Sequence, residues 1–106
     1  MTNVLFVCSA NVDRSPTAEE MFRDHPGIAV ASAGTLPDAV RPLNADHIAW
    51  ADIILVMEDA HREAIAARFG ETPKIVVLGI PDDYRRGDAE LVTLLQARVP
   101  RLLSSM

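Results

Sequence analysis

Val4-Leu5-Phe6-Val7-Cys8-Ser9-Ala10-Asn11-Val12-Asp13-Arg14-Ser15-Pro16-Thr17-Ala18-Glu19-Glu20 is an apolar run, a polar loop and a helix opening in direct succession. The run has the composition of a strand buried on both faces. Ser15 followed by Pro16 reads as a helix N-cap and first helical position, where a missing N–H costs nothing. A thiol at the end of a buried strand, an arginine later in the loop and a helix start behind both describe a pocket for a phosphate-like dianion. If the loop curls inward, its amides and the first turn of the helix form a positive cradle.

The rest of the chain repeats the strand-then-helix order. Strands are expected at Val4 to Val7, Ile28 to Ser32, Ile53 to Met57 and Lys74 to Leu78. Helical patterns follow at Pro16 to Arg23, Asn44 to Trp50, Asp59 to Phe69 and Asp88 to Leu102, with Leu91, Leu94, Leu95 and Leu102 along one face of the last. Pro100 is expected to break or kink that helix near Val99. Alternation of this kind implies an α/β fold: a single-domain, doubly wound (flavodoxin-like) three-layer sandwich over residues 1–106, with a four-stranded parallel sheet and right-handed crossovers. Such folds bind ligands beyond the carboxyl ends of the strands. Cys8 is at such an end, and so is Gly79-Ile80-Pro81-Asp82-Asp83-Tyr84.

Composition narrows the function. The 106 residues suit one domain, and 49% hydrophobic content is ample for one core. A net charge of −5 argues against nucleic acid as the main partner. The single cysteine excludes an internal disulfide and fits a reducing compartment. Met1-Thr2-Asn3 leads straight into the first strand, so neither secretion nor membrane association is expected, and the predicted location is cytoplasmic. His25 and His47 have no ligand spacing with Cys8 or with a carboxylate pair, and no metal and no cofactor are expected. Trp50 is expected to pack in the core or on its helix, and His61 to be structural.

The cysteine suggests a nucleophile. A free thiol titrates at about pH 8.5, and the thiolate is the attacking form. Arg14 offers a planar fork for two phosphoryl oxygens. The Ser15 hydroxyl could reach back to Cys8, and the Asn11 side chain could brace a strained loop by bonding neighbouring main-chain groups. Ser9, Ala10, Asn11, Val12, Asp13, Arg14 and Ser15 are the expected phosphate-binding residues.

Val4 to Cys8, Asn11 and Arg14-Ser15-Pro16-Thr17-Ala18-Glu19 together resemble the signature of low-molecular-weight protein tyrosine phosphatases. Ser32-Ala33-Gly34-Thr35 and Ala51 to Met57 with His61-Arg62 extend the resemblance over most of the chain. It implies a Cys8 nucleophile, a phosphate-gripping Arg14 and a general-acid aspartate on a late loop. Asp82 occupies the acid's place, with Asp83 where the family usually has proline and Tyr84 where an aromatic walls the substrate cleft. The implied substrate is a phosphorylated protein or a small aryl phosphate, with inorganic phosphate or other oxyanions as loop ligands. The sequence leaves the oligomeric state open.

Two departures stand out. Asp13 replaces the second cysteine of many members, so disulfide protection of the nucleophile by that route is absent. A carboxylate there would repel a dianion unless it points outward. Leu36-Pro37-Asp38-Ala39-Val40-Arg41-Pro42-Leu43 is much shorter than the family's cleft wall, which predicts a more open pocket. Two alternatives to phosphatase action follow: arsenate reduction with an external thiol, and a module that binds phosphate or a phosphoprotein without turnover.

Overall fold

The computed structural model describes residues 1–104; the expected 1–106 span also takes in Ser105 and Met106, which lie outside the described residues. In chain order the elements are β1 (Thr2–Cys8), α1 (Arg14–Phe22), β2 (Ile28–Gly34), α2 (Ala45–Trp50), β3 (Ile53–Val56), α3 (Asp59–Phe69), β4 (Ile75–Val77) and α4 (Ala89–Ser104). The strands form one parallel sheet in the order β2-β1-β3-β4. This is the expected doubly wound α/β architecture.

Alternation along β1 builds the two layers. Side chains of successive strand residues point to opposite faces. Val4, Phe6 and Cys8 therefore join Ala18 and Phe22 of α1 and Leu91, Leu95 and Val99 of α4 in one core. Leu5 and Val7 join Ile54, Val56, Leu43 and Ile65 of α3 on the other face. All four β1 residues from Val4 to Val7 are fully buried, which is why the run shows no polar alternation. The chain order reverses at β1, since β2 lies on one side and β3 on the other. A crevice at the carboxyl end of β1 is the expected ligand position.

Several boundaries differ from the sequence reading. The first helix begins at Arg14, with Asp13 at the N-cap, so Ser15 is inside the first turn and Pro16 is its third residue. Pro16 still sits where helical N–H groups have no intrahelical acceptor, so its ring costs no hydrogen bond. The last helix continues through Pro100 to Ser104. Burial of Leu91, Leu95 and Val99 along one stripe outweighs the one lost backbone bond. Trp50 is exposed rather than packed, and it contributes its carbonyl to Asn3 Nδ2.

Candidate functional site

The strand ends deliver the site. Register pairs Cys8 with Gly34 on one side of β1, and Val7 with Val56 on the other. The loops that leave these ends meet over the rim. Cys8 is buried, and its Sγ lies 2.9 Å from Ser15 Oγ. Ser9, Ala10, Val12, Asp13 and Arg14 line a cavity of about 60 Å³ with Cys8, and Asp82 reaches it from the loop after β4.

The segment from Thr35 to Val40 shapes the loop from outside. Amides of Thr35, Leu36 and Val40 donate to the carbonyls of Cys8, Ser9 and Ala10 at 3.0, 3.1 and 3.0 Å. Val12, which lines the cavity, and Leu36 and Val40 of this segment are exposed. Gly34 permits the close approach: a Cβ there would sit 2.4 Å from the Ser9 carbonyl oxygen.

Behind the loop runs a directed chain of hydrogen bonds. Asn11 holds a left-handed backbone, φ 57°, which asparagine tolerates better than most residues. Its Nδ2 donates to Ser15 Oγ at 2.8 Å and to Ser32 Oγ at 3.0 Å. Asn11 thus braces the loop through two hydroxyls rather than the main-chain groups expected. Ser32 donates onward to Glu19, which also pairs with Arg41. Ser15 Oγ accepts from Asn11, and its own proton has two acceptors in reach, the Cys8 sulfur at 2.9 Å and the more distant Ala33 carbonyl at 3.5 Å.

His61 performs a matching task on the other side. Its Nδ1 accepts from the Glu58 amide at 3.0 Å, which places the ring proton on Nε2. Nε2 then donates to Ser9 Oγ at 2.9 Å, and the Ser9 proton is left to face the cavity. Burial, with the Arg14 charge second, pushes the His61 pKa down against the opposing pull of Glu58 and Asp82. The ring is therefore neutral at physiological pH, as this bonding pattern requires.

Arg14 is 2% exposed and spans the crevice. Its Nη1 donates to Glu58 and, at 2.8 Å, to the Ile80 carbonyl, while Nε lies 3.7 Å from Asp82 Oδ1. Asp83 is exposed, and Tyr84 rests half-buried on the α1–α4 core; neither lines the small cavity. Asp13 turns its Oδ1 outward to the Arg86 amide at 2.9 Å. Among the described residues no group of three or more His, Cys, Asp or Glu side chains could hold a metal ion. Among the described residues no helix is long and apolar enough to cross a membrane.

Sequence reasoning missed Glu58, gave Glu19 and Ser32 no role beyond the resemblance, and set His61 aside as structural. Glu58 had a usable signal, because it immediately follows β3 and so falls on the same rim as Cys8 and Asp82.

Known proteins share both the motif and the fold. The family model for low molecular weight phosphotyrosine protein phosphatase matches residues 3–41. A protein-arginine-phosphatase of Bacillus subtilis (strain 168) is 33% identical over 64% of this chain and 63% of that protein, just under two thirds of its length. The YwlE arginine phosphatase structure from Geobacillus stearothermophilus superposes with a TM-score of 0.76 at 25% identity, covering 99% of this chain and 95% of that one. The solution structure of a low molecular weight protein tyrosine phosphatase from Bacillus subtilis gives 0.77 at 25% identity and 98% coverage of both. The matched stretch holds the whole Cys8–Arg14 loop, and the likeness in fold runs the length of the chain, so this chain is similar to the low molecular weight phosphotyrosine protein phosphatases in both its loop and its fold.

Proposed function

We propose that this protein is a cysteine-dependent phosphatase that removes phosphate from a protein side chain through a phosphocysteine intermediate. The observation that carries the reading is the placement of Cys8 Sγ, 2.9 Å from Ser15 Oγ, on one small cavity with Arg14 and Asp82. The Cys8 thiolate attacks phosphorus in line: an S–P bond forms, the P–O bond to the leaving group breaks, and the Asp82 carboxyl gives its proton to the departing oxygen. The loop amides, the Ser9 hydroxyl and the Arg14 guanidinium hold the equatorial oxygens. Water then attacks phosphorus, Asp82 takes its proton, and the sulfur leaves as a thiolate that accepts a hydrogen bond from Ser15. Asp83 and Tyr84 stand further out, where the rest of a substrate would pass.

Phosphotyrosine is the substrate we propose first, because the model for low molecular weight phosphotyrosine protein phosphatases matches the stretch that holds the whole Cys8–Arg14 loop. A second reading, phosphoarginine, is favoured by the relatives named protein-arginine-phosphatase. The same steps would then break a P–N bond, with Asp82 protonating the guanidine nitrogen. A reduced, cytoplasmic setting fits a mechanism that depends on the single free thiol.

The test is hydrolysis of an aryl phosphate and of peptides carrying phosphotyrosine or phosphoarginine. Cys8→Ser should fall to background, and Asp82→Ala should lose on the order of 100-fold with a smaller loss for Asp83→Ala. Equal rates for wild type and Cys8→Ser would sink the mechanism. Thiol consumption with arsenate but no phosphate release would point to arsenate reduction instead.

A further inference from the structure

Asp13 is the N-cap of α1, yet its side chain makes no capping bond to that helix. Aspartates at this position ordinarily accept from the second or third helical N–H. Here the third residue is Pro16, which has no N–H to give. The freed carboxylate reaches across to the loop after β4, where its Oδ1 accepts from the Arg86 amide at 2.9 Å. Three neighbouring contacts follow the same path. Thr17 Oγ1 donates to the Asp13 carbonyl at 2.7 Å and accepts from the Gly87 amide at 3.0 Å, and Arg86 pairs with Glu20.

The loop held in this way is the one that carries Asp82. Residues 81–88 have no helix or strand, and all but Tyr84 are exposed. Asp82 itself is 66% exposed, and among the described residues its one ion pair is the 3.7 Å contact to Arg14. A contact so open to water does little to fix a side chain. The loop's near end is pinned at Ile80, whose amide donates to Met57 and whose carbonyl accepts from Arg14. Its far end is pinned at Arg86 and Gly87 by Asp13 and Thr17.

We propose that Asp13 is a positioning residue for the general acid: it ties the far end of the Asp82 loop to the very loop that holds Cys8, and so sets the distance between acid and nucleophile. This rests on the phosphatase reading above. The Asp13 carboxylate is engaged by the Arg86 amide and not by the reacting atoms, and its effect passes through Asp82. Misplacing a catalytic group by about 1 Å can cost on the order of 100-fold, and a positioned acid matters most when the leaving group is a poor one.

The experiment is a leaving-group series of aryl phosphates, from dinitrophenyl to phenyl phosphate, with kcat and KM measured separately. Asp13→Ala should lower kcat/KM, which reads the steps up to phosphocysteine formation and not the later hydrolysis common to all esters, by at least about tenfold on phenyl phosphate and by less than about threefold on the dinitrophenyl ester. Asp13→Asn keeps the Oδ1 acceptor and should restore the wild-type leaving-group dependence. Thr17→Val, which removes the adjacent tether, should shift the dependence in the same direction by a smaller amount and gives a second route if Asp13→Ala folds poorly. On an Asp82→Ala background, Asp13→Ala should add nothing. Uniform loss across the series, failure of Asp13→Asn to rescue, or additivity with Asp82→Ala would overturn the proposal while leaving the phosphatase reading intact. Absence of turnover by the wild-type protein on every ester would overturn both.

Discussion

Gly34 is the residue on which the curvature of the phosphate loop depends. A Cβ at this position would meet the Ser9 carbonyl oxygen at 2.4 Å, Ala39 Cβ at 2.6 Å and the Asn11 amide at 3.0 Å. Two of those atoms are backbone of the loop itself and have no rotamer to move into. Gly34→Ala is therefore expected to cost about 1–3 kcal/mol through overpacking and to weaken phosphate binding, because relief requires Ser9 and Asn11 to shift. Thermal unfolding with and without phosphate checks both effects, and a variant with unchanged midpoint and affinity would refute the account. Nothing local in Ser32-Ala33-Gly34-Thr35 announces this need. The glycine matters because a loop more than twenty residues earlier folds back onto it, so its role is legible only in three dimensions. Ser15 gives the same lesson at close range: its Ser-Pro pairing signals a cap, but Asp13 takes that position and Ser15 turns to Cys8.

At the scale of elements, α3 does more than cover the sheet. Its N-cap Glu58 and third residue His61 close a reciprocal pair at the helix start, and both then reach the phosphate loop, one to Arg14 and the other to Ser9. The partners are 44 and 52 residues apart in sequence, which is why the helix itself was readable from Asp59 to Phe69 while its service to the site was not. Neutral His61 also makes α3 a source of pH sensitivity. Its pKa in the folded protein lies below the ordinary value of 6.5, chiefly through burial and then through Arg14, so the unfolded chain binds its proton first as the pH falls. The contribution to stability is complete above pH 6.5 and drains away as the pH drops from there through the lower folded value. Protonation would also remove the Nδ1 acceptor that holds the Glu58 amide. Urea unfolding of the wild type and of His61→Gln across this range should show the gap between them closing toward acid pH. A gap that stays constant would remove His61 from the explanation.

For the whole molecule, the sheet was legible because its strands are apolar runs, and the crevice was legible because parallel order puts the ends of β1 and β4 on one rim. What joins the parts is Arg14. From the first turn of α1 it holds Glu58 after β3 and the Ile80 carbonyl after β4, so three chain segments converge on one buried guanidinium. The exposed Asp82 adds little to that hold, since an ion pair in solvent is worth at most about 1 kcal/mol. An anion bound in the cavity would meet the same guanidinium and so should stabilise the entire fold rather than one loop. At phosphate concentrations near 100 times the dissociation constant the linkage is about 2.7 kcal/mol, which for a domain of this size raises the unfolding midpoint by on the order of 10 °C. Arg14→Lys keeps the charge but loses the planar fork, and a lysine cannot reach two acceptors and an oxyanion at once. It should therefore unfold earlier than wild type and gain much less from phosphate. The comparison needs only melting curves of the two proteins over a phosphate titration, with sulfate as a second anion and chloride holding ionic strength constant. A lysine variant stabilised by phosphate as strongly as the wild type would mean that the loop amides alone capture the anion and that Arg14 serves the fold without serving the site.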